Sequence, residues 1–317
     1  MNISIVIPNY NGEELLQKNL PTIIEAIKDY KEGKVEIIIA DDPSTDNSQH
    51  VIAEFIKNIS HKHIIAKTIS NRNKNESGFS KNVNRGVSLA TGDILILLNT
   101  DVAPHKDFLS PLLKHFKDEN TFAVGCMDES HEGNEIILRG RGIARWQRGF
   151  VMHAAGSVDK PNTFWVSGGS SAFRKSIWDT LGGLDELYNP FYWEDIDISY
   201  RALKSGYKVI FEKESIVRHE HSKGSIKTQF TEKKIKTIAY RNQFIFIWKN
   251  ITDKNLIQSH YKWLPYHFIK ALINRDGAFF YGYFSALAVK SKINKSRLIA
   301  RKLFVKHDGD VLQAFQE

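Results

Sequence analysis

The residues best placed to do chemistry lie where an apolar run stops. Residues 94–98 are uninterrupted Ile and Leu, and Asn99-Thr100-Asp101 follows at once. Such a run reads as a strand buried on both faces of a parallel sheet. In an open α/β sheet, ligands bind beyond the carboxyl ends of the strands. Asn99 and Asp101 are two residues apart, so on extended backbone their side chains share one side. An amide oxygen and a carboxylate there could hold a hard divalent cation and leave coordination positions for a diphosphate. The same residue types are ordinary turn formers, so the reading depends on what the rest of the chain brings to that place.

The elements that must position those groups alternate over the first hundred residues. Residues 3–7 read as a buried strand stopped by Pro8. Residues 12–30 carry apolar positions at helical spacing, and Pro21 is expected to kink that helix or start a second. Residues 35–40 form a second strand ending in Asp41-Asp42, and Ser44-Thr45-Asp46 caps the helix after it. Residues 63–69 are a third strand, 71–78 a polar loop, and 80–90 a helix leading into the central strand. This pattern predicts a doubly wound, mostly parallel sheet flanked by helices, with right-handed crossovers.

Beyond Asp101, residues 108–116 read as helix and 122–127 as strand. Residues 128–162 read as an irregular stretch rich in Gly and Arg, suited to an acceptor loop or lid. A strand is expected over 164–173 around Gly168-Gly169, helices over 175–181 and 194–204, and final strands over 208–212 and 215–219. From residue 231 the pattern turns to helices with mixed aromatic and basic faces, including 240–248 and 263–273. The expected division is an α/β domain over 1–225 and a helical, basic and aromatic C-terminal extension over 226–317. In that extension Phe279, Phe280, Tyr281, Tyr283 and Phe284 are followed by Lys290, Lys292, Lys295, Arg297, Arg301 and Lys302. They either pack on the sheet domain or touch an anionic bilayer.

The 317 residues, 42% hydrophobic and 25% charged, fit a soluble globular protein with a full core. A net charge of +8 points to an anionic partner such as a nucleotide or an acidic membrane surface. No basic run is interleaved with aromatics as in a nucleic-acid platform, which argues against nucleic acid. The single cysteine, Cys126, excludes an intramolecular disulfide framework and suits a reducing compartment. The chain opens directly into an apolar strand, so no signal peptide is expected, and no apolar stretch is long enough to span a bilayer. The expected location is cytoplasmic, either free or peripheral at the inner face of the membrane.

Five clusters then occur in a telling order: Ile5-Val6-Ile7-Pro8-Asn9-Tyr10-Asn11, Asp41-Asp42-Pro43-Ser44-Thr45-Asp46, Ala90-Thr91-Gly92-Asp93, Asn99-Thr100-Asp101 and Trp193-Glu194-Asp195-Ile196-Asp197. Together they resemble family 2 glycosyltransferases, the inverting nucleotide-sugar enzymes with the Rossmann-like GT-A fold. The resemblance covers about residues 1–225, and the ordered set is more specific than any member of it. Residues 241–250 also look like the helix that follows the catalytic domain in many such enzymes.

The resemblance implies roles residue by residue. Pro8, Asn9 and Asn11 would border the nucleobase, and Asp41 would accept a bond from its ring nitrogen, a charge-assisted contact. Asn84 would lie near the sugar and diphosphate. Asp101 matches the metal ligand that ends the family's Asp-x-Asp motif, with Asn99 in place of the first Asp. His219 would approach the Mg²⁺ or Mn²⁺ ion or the diphosphate, although His221 shares its strand face and leaves that assignment open. Gly168-Gly169 would let backbone approach the sugar closely or merely make a bend, Glu194 would face the acceptor, and Trp193 would stack on an acceptor sugar ring or fill core. Asp195 would be the catalytic base, the one carboxylate that inversion needs when a metal stabilises the departing oxygen. The helix dipole would lower its pKa while neighbouring acids and a closed site would raise it, and the sequence leaves that sum open.

The Asn-x-Asp form is similar to the rhamnosyltransferase-like branch, which implies a dTDP-sugar donor beside the more general UDP-sugar. Processive synthases of the family carry Gln-x-x-Arg-Trp after the Glu-Asp motif. Here Arg145-Trp146 stands upstream of it, so a single addition is implied. The implied function is transfer of one sugar to a hydroxyl of a glycan or lipid-linked acceptor, in cell-surface polysaccharide or glycolipid assembly. The alternative is a catalytically silent nucleotide-sugar-binding protein of the same fold, for which Asn99 is the best argument.

Overall fold

Consecutive apolar residues can all be buried only where a strand is covered on both faces. Strands β1 (Ile3–Asn9), β2 (Val35–Asp41) and β4 (Ile94–Leu98) meet that condition almost throughout. A computed structural model describes residues 1–132, 135–220 and 229–316, so His221 lies outside the described residues. With β3 (Ile64–Ser70), β5 (Val102–Pro104), β6 (Thr121–Glu132), β10 (Ser170–Arg174) and β11 (Lys208–His219) these strands form one sheet. Its order is β3-β2-β1-β4-β10-β6-β11-β5, and β7 (Glu135–Arg139) pairs with β6. Strands β8 (Gly142–Gln147) and β9 (Phe150–Ala155) make a separate hairpin.

Direction along this sheet decides where the chemistry gathers. The four strands β1 to β4 are mutually parallel, as are β6 and β11. Strand β10 runs antiparallel to both β4 and β6. The two reversals cancel, so six strands point the same way. Their carboxyl ends, together with the amino end of β10, occupy one edge of the sheet, where an open α/β sheet binds its ligands.

Alternate residues of each strand feed two cores. Ile94, Ile96 and Leu98 join Ile5 and Ile7 on the face covered by α1 (Glu13–Ile27). Leu95 and Leu97 join Val6 and Ile38 on the face covered by α3 (Phe79–Val87) and α5 (Lys175–Leu181). The remaining helices are α2 (Ser48–Asn58), α4 (Leu109–Leu113) and α6 (Glu194–Lys204). After residue 229 come α7 (Glu232–Asn250), α8 (Lys254–Ile273), α9 (Gly277–Ala288), α10 (Lys290–Arg301) and α11 (Asp308–Gln313). Phe244, Ile245, Phe246 and Ile247 of α7 belong to the same core as Leu95 and Leu97.

Several expected boundaries move. Strand β1 runs on through Pro8 instead of stopping there. The Asn9 carbonyl accepts from Asp42 N at 2.9 Å, so Pro8 faces the other side, where pairing with β4 has already ended at Val6; its missing N–H breaks no ladder. Helix α1 passes Pro21 unbroken, with Pro21 and Gln17 one turn earlier both exposed, so the carbonyl that loses its partner has water within reach. The stretch 128–162 is largely β-structure: the end of β6, then β7, β8 and β9. Its hairpin strands leave many side chains exposed, which hides the apolar alternation a half-buried strand shows. Of 164–173, only the part from Ser170 is strand. The last two strands are one, β11, with an irregular register between Glu212 and Ile216.

Candidate active site

The ends of β1 and β2 gather a small buried polar cluster. Asp41 is fully buried; its Oδ1 accepts from Asn9 Nδ2 and from Ser44 Oγ, each at 2.7 Å. Burial raises its pKa, and the bonds from Ser44 and Asn9 with nearby Gln49 oppose that only in part. Asp41 Oδ2 and Asn9 Oδ1 are buried and make no hydrogen bond among the described residues. Orphaned buried acceptors of this kind are costly unless a ligand donates to them. Asn11 takes a positive φ of 49° and accepts from Thr45 N at 2.7 Å, tying the two strand ends together with half-buried Pro8 alongside. The N-cap of α2 is Asn47, just past the Ser44-Thr45-Asp46 run, and makes no side-chain cap bond; Asp46 accepts from Ser48 N at 3.1 Å from one position earlier, while Ser44 serves Asp41.

At the end of β4, Asn99 and Asp101 meet groups from distant strands. Asp101 Oδ2 lies 3.3 Å from His219 Nε2, and His219 Nδ1 lies 2.8 Å from Asp128 Oδ2. Burial disfavours the imidazolium, but the two carboxylates outweigh it and raise the pKa of His219 to about 9. Asn99 Oδ1 is buried without a partner among the described residues. Among those residues no group of three or more His, Cys, Asp or Glu side chains is arranged to hold a metal alone.

Gly168-Gly169 joins this cluster to the start of α6. A methyl at Gly169 would stand 2.3 Å from Asn99 Nδ2, and Gly169 O accepts from Asn99 N at 2.9 Å. A methyl at Gly168 would come 3.6 Å from Asp195 Cβ and 3.2 Å from the Phe79 ring. The dipeptide is thus the shared wall between Asn99 and Asp195. Asp195 is half-buried; desolvation lifts its pKa to about 6, although the peptide N–H groups of Ile196 and Gly168 favour the ionised form. Ile196 N donates to its Oδ1 at 2.8 Å. Glu194 is more deeply buried, one carboxylate oxygen has no partner among the described residues, and burial with the charge of Asp195 pushes its pKa well up. The opposed tendencies left open by the sequence resolve in favour of desolvation.

Asn84 and Trp193 are held by structural contacts. Both ends of the Asn84 amide are engaged by one residue, Nδ2 donating to Leu184 O at 2.8 Å and Oδ1 accepting from Leu184 N at 3.0 Å. Asn84 therefore clamps α3 to the loop after α5, with a bond at each end of its amide. Trp193 is only 5% exposed, its ring 5.0 Å from that of His153 and 5.1 Å from that of Phe246, so it fills core and offers no open face for stacking.

Other residues belong to the arrangement without having been singled out. Asp128 orients His219 from β6, and its signal was a carboxylate just after the apolar run 122–127, the same pattern as Asp101. Helix α7 supplies the rest. Asn242 Nδ2 donates to the carbonyls of Tyr188, Phe191 and Tyr192, each at 2.9 Å, and so holds the turn before α6. Lys249 and Asn250 reach Asp197, which also takes Arg201 Nε at 2.7 Å. Burial opposes the charge on Asp197, but Lys249 and Arg201 hold its carboxyl below the ordinary value. Asn242, Lys249 and Asn250 lie at helical spacing on one face of an otherwise apolar helix end, a pattern legible in hindsight.

With this geometry established, likeness to known proteins becomes interpretable. The family model "Glycosyl transferase family 2" matches residues 4–182, and "Glycosyl transferase family group 2" matches 94–290. The O-antigen chain rhamnosyltransferase RfbN of Salmonella typhimurium strain LT2 is 25% identical over 226 residues, covering 70% of this chain and 67% of that protein. The crystal structure of GalNAc-T7 with UDP, GalNAc and Mn²⁺ aligns with 99% of this chain at a TM-score of 0.71 and 18% identity, this chain spanning 56% of that one. The mannosyltransferase PcManGT from Pyrobaculum calidifontis, in complex with GDP-Man and Mn²⁺, aligns with 95% of this chain and 84% of its own at a TM-score of 0.56 and 16% identity. At such identities the structural likeness speaks for the fold, which is the GT-A arrangement of a central sheet flanked by helices. The family match extends over more than half of the chain: the chain belongs to glycosyl transferase family 2 and is a glycosyltransferase.

Proposed function

We propose that this enzyme moves one sugar, with inversion, from a nucleotide-diphosphate sugar to an acceptor hydroxyl, with Asp195 as general base. The observation that carries this reading is the Gly168-Gly169 wall, which touches Asn99 on one side and Asp195 on the other. Donor phosphates near Asn99 and Asp101 would then present the anomeric carbon toward Asp195. A carboxylate titrating near 6 is largely ionised at neutral pH yet basic enough to take the acceptor's proton as its oxygen attacks. The new C–O bond forms as the bond to the diphosphate oxygen breaks, and the proton passes to Asp195. Asp41 and Asn9, each with a buried acceptor that has no partner among the described residues, suit the donor groups of a base.

A divalent metal fits the residues present. Asp101 and the unpartnered Asn99 Oδ1 offer oxygen donors, and His219 would add an imidazole nitrogen once an ion displaces the proton that Asp101 and Asp128 favour, with Asp128 orienting the ring as outer carboxylates do for metal-bound histidines. Mg²⁺ and Mn²⁺ sites of this kind use few protein ligands and complete themselves with substrate phosphates. When bound, such an ion neutralises charge on the departing diphosphate. The relative RfbN and the Asn99-x-Asp101 form favour a dTDP-deoxyhexose donor over a UDP-sugar, and a glycan or lipid-linked acceptor of the cell envelope. No helix among the described residues is long and apolar enough to cross a membrane. The exposed Leu272 and Ile273 at the end of α8 support peripheral contact with a bilayer on the cytoplasmic side.

The test pairs binding with turnover. Asp195→Ala is expected to bind nucleotide-sugar as the parent does while transfer falls about 10²–10⁴-fold. Asp101→Ala should weaken nucleotide-sugar binding in calorimetric titrations containing Mg²⁺ or Mn²⁺. Undiminished turnover in the first variant removes the base assignment, and equal affinity in the second removes the metal-diphosphate role. A parent protein that binds a nucleotide-sugar but transfers nothing to any acceptor would favour the silent binding protein.

A further inference from the structure

Helices α7, α8 and α10 enclose a second cavity, of about 190 Å³, that shares no residue with the site above. Its wall on α10 carries Lys290, Asn294 and Arg297, at i, i+4 and i+7 and hence on one face of that helix. Tyr261 and His260 face them from α8, and Trp248 from α7. The Lys290 ammonium stands 4.1 Å from the centre of the Trp248 ring. Arg297 Nη1 donates to the carbonyls of Trp248 and Ile251, at 3.0 and 2.6 Å, which end α7. His260 takes Trp248 Nε1–H on Nε2 at 3.1 Å and meets Gly149 O through Nδ1 at 2.8 Å, so it sits neutral in that wall.

The lining therefore holds two cations and no carboxylate. Neither Lys290 nor Arg297 has an ion-pair partner among the described residues. Asp308, the acid whose charge reaches Arg297, is itself bound to Lys204 at 2.6 Å and to Tyr200. Partial burial and the charge of Arg297 both depress the pKa of Lys290. Two like charges half withdrawn from water without a counter-charge are unfavourable unless something anionic completes them. The size narrows the choice. Pockets that enclose a whole small molecule measure roughly 300–1,000 Å³, so this one takes a head group.

We propose that this cavity is a binding site for a phosphate group, held by Lys290 and Arg297, with Asn294 and Tyr261 as neutral partners. The phosphate could be free or the head of an amphiphile. The second source is favoured because Tyr261 of the lining is 55% exposed and Leu298, next to Arg297 on α10, is 63% exposed. An amphiphile would set its charge in the cavity and its chain along those side chains.

The experiment uses the full chain without nucleotide-sugar, in chelator, so that it stands or falls apart from the role of Asp195. Thermal shift and calorimetry with inorganic phosphate form one arm. Flotation with phosphatidylcholine vesicles, with and without phosphatidic acid, forms the other. Lys290→Gln is compared with Lys292→Gln, an exposed lysine of the same helix outside the cavity that matches the charge change. Arg297→Gln is a second cavity variant, and Lys290→Gln keeps the test valid if loss of the Arg297 bonds to α7 unfolds the chain. Lys290→Gln should lower phosphate affinity about tenfold or more, the scale of one charge-assisted bond, while Lys292→Gln leaves it unchanged. A loss in both arms supports a site for the phosphate group itself, and a loss in the vesicle arm alone supports the lipid head. Equal behaviour of the two glutamine variants in both arms, or no binding by the parent in either, overturns the proposal.

Discussion

Asp195 would be ionised at any physiological pH if it lay in water. Withdrawn beside Gly168 and Glu194, it titrates near 6 instead. The base must be deprotonated, so kcat/KM should fall as pH drops through about 6 and level off above it, in a profile measured with saturating metal. A flat profile between about pH 5 and pH 8 would show that another group takes the proton. Gly169 offers a sharper probe of the same site. A methyl there would overlap the Asn99 amide, the movable end of a side chain, so the protein should fold while Asn99 turns away. Gly169→Ala is expected to raise the donor KM about tenfold, the scale of one lost hydrogen bond, with a melting temperature close to that of the parent. An unchanged KM would mean that Asn99 makes no contact with the donor.

Among the elements, the start of α6 is the one most dependent on another. Tyr192 and Trp193 both take positive φ, 72° and 77°, just before the Glu194-Asp195 pair. Such backbone costs about 1–3 kcal/mol per residue and persists only where the surroundings impose it. Here the imposing group is Asn242 of α7, whose single amide donates to three carbonyls of that turn. Lys249 adds a buried tie to both Asp185 and Asp197. Asn242→Ala should destabilise the fold by about 1–3 kcal/mol, the cost of leaving buried carbonyls unpaired. It should also lower kcat more than it weakens donor binding, because Asp41, Asn99 and Asp101 lie on other elements. Equal losses in kcat and donor affinity would argue that α7 supports the whole fold and not the base in particular.

For the whole molecule, the α/β portion and the C-terminal helices behave as one packed body on the sheet's α3 side. Phe246 is fully buried against Tyr200 and Trp193, Phe244 is fully buried against Phe150 of β9, and Asp308 of α11 is bound by Lys204 and Tyr200 of α6. A fragment ending at residue 225 would leave Leu95, Leu97 and Trp178 in a core without its α7 side. We expect that fragment to lose the single cooperative melting transition of the full chain and to expose apolar surface to a hydrophobic dye. A fragment that melts cooperatively would establish residues 1–225 as a self-sufficient unit.

The runs at 3–7, 35–40 and 94–98 determined a buried parallel sheet by themselves, because stretches this rich in Ile, Val and Leu, interrupted by a polar residue only at Ser4 and Glu36, can be satisfied only between two covered faces. The polar stops at Asn9, Asp41 and Asn99-x-Asp101 likewise marked the edge where ligands belong, since strand ends are local features. Strands β7, β8 and β9 were not legible, for half-exposed hairpin strands lack an apolar run and depend on their partners. Nor could the chain order reveal that Asn84 is tied to Leu184, that Trp193 lies in the core, or that Asp128 stands behind His219. Those outcomes rest on contacts between residues 40 to 100 positions apart. The pKa of Asp195 belongs to the same class: dipole, neighbouring acids and burial pull in different directions, and only the packed surroundings fix how much water remains to choose between them.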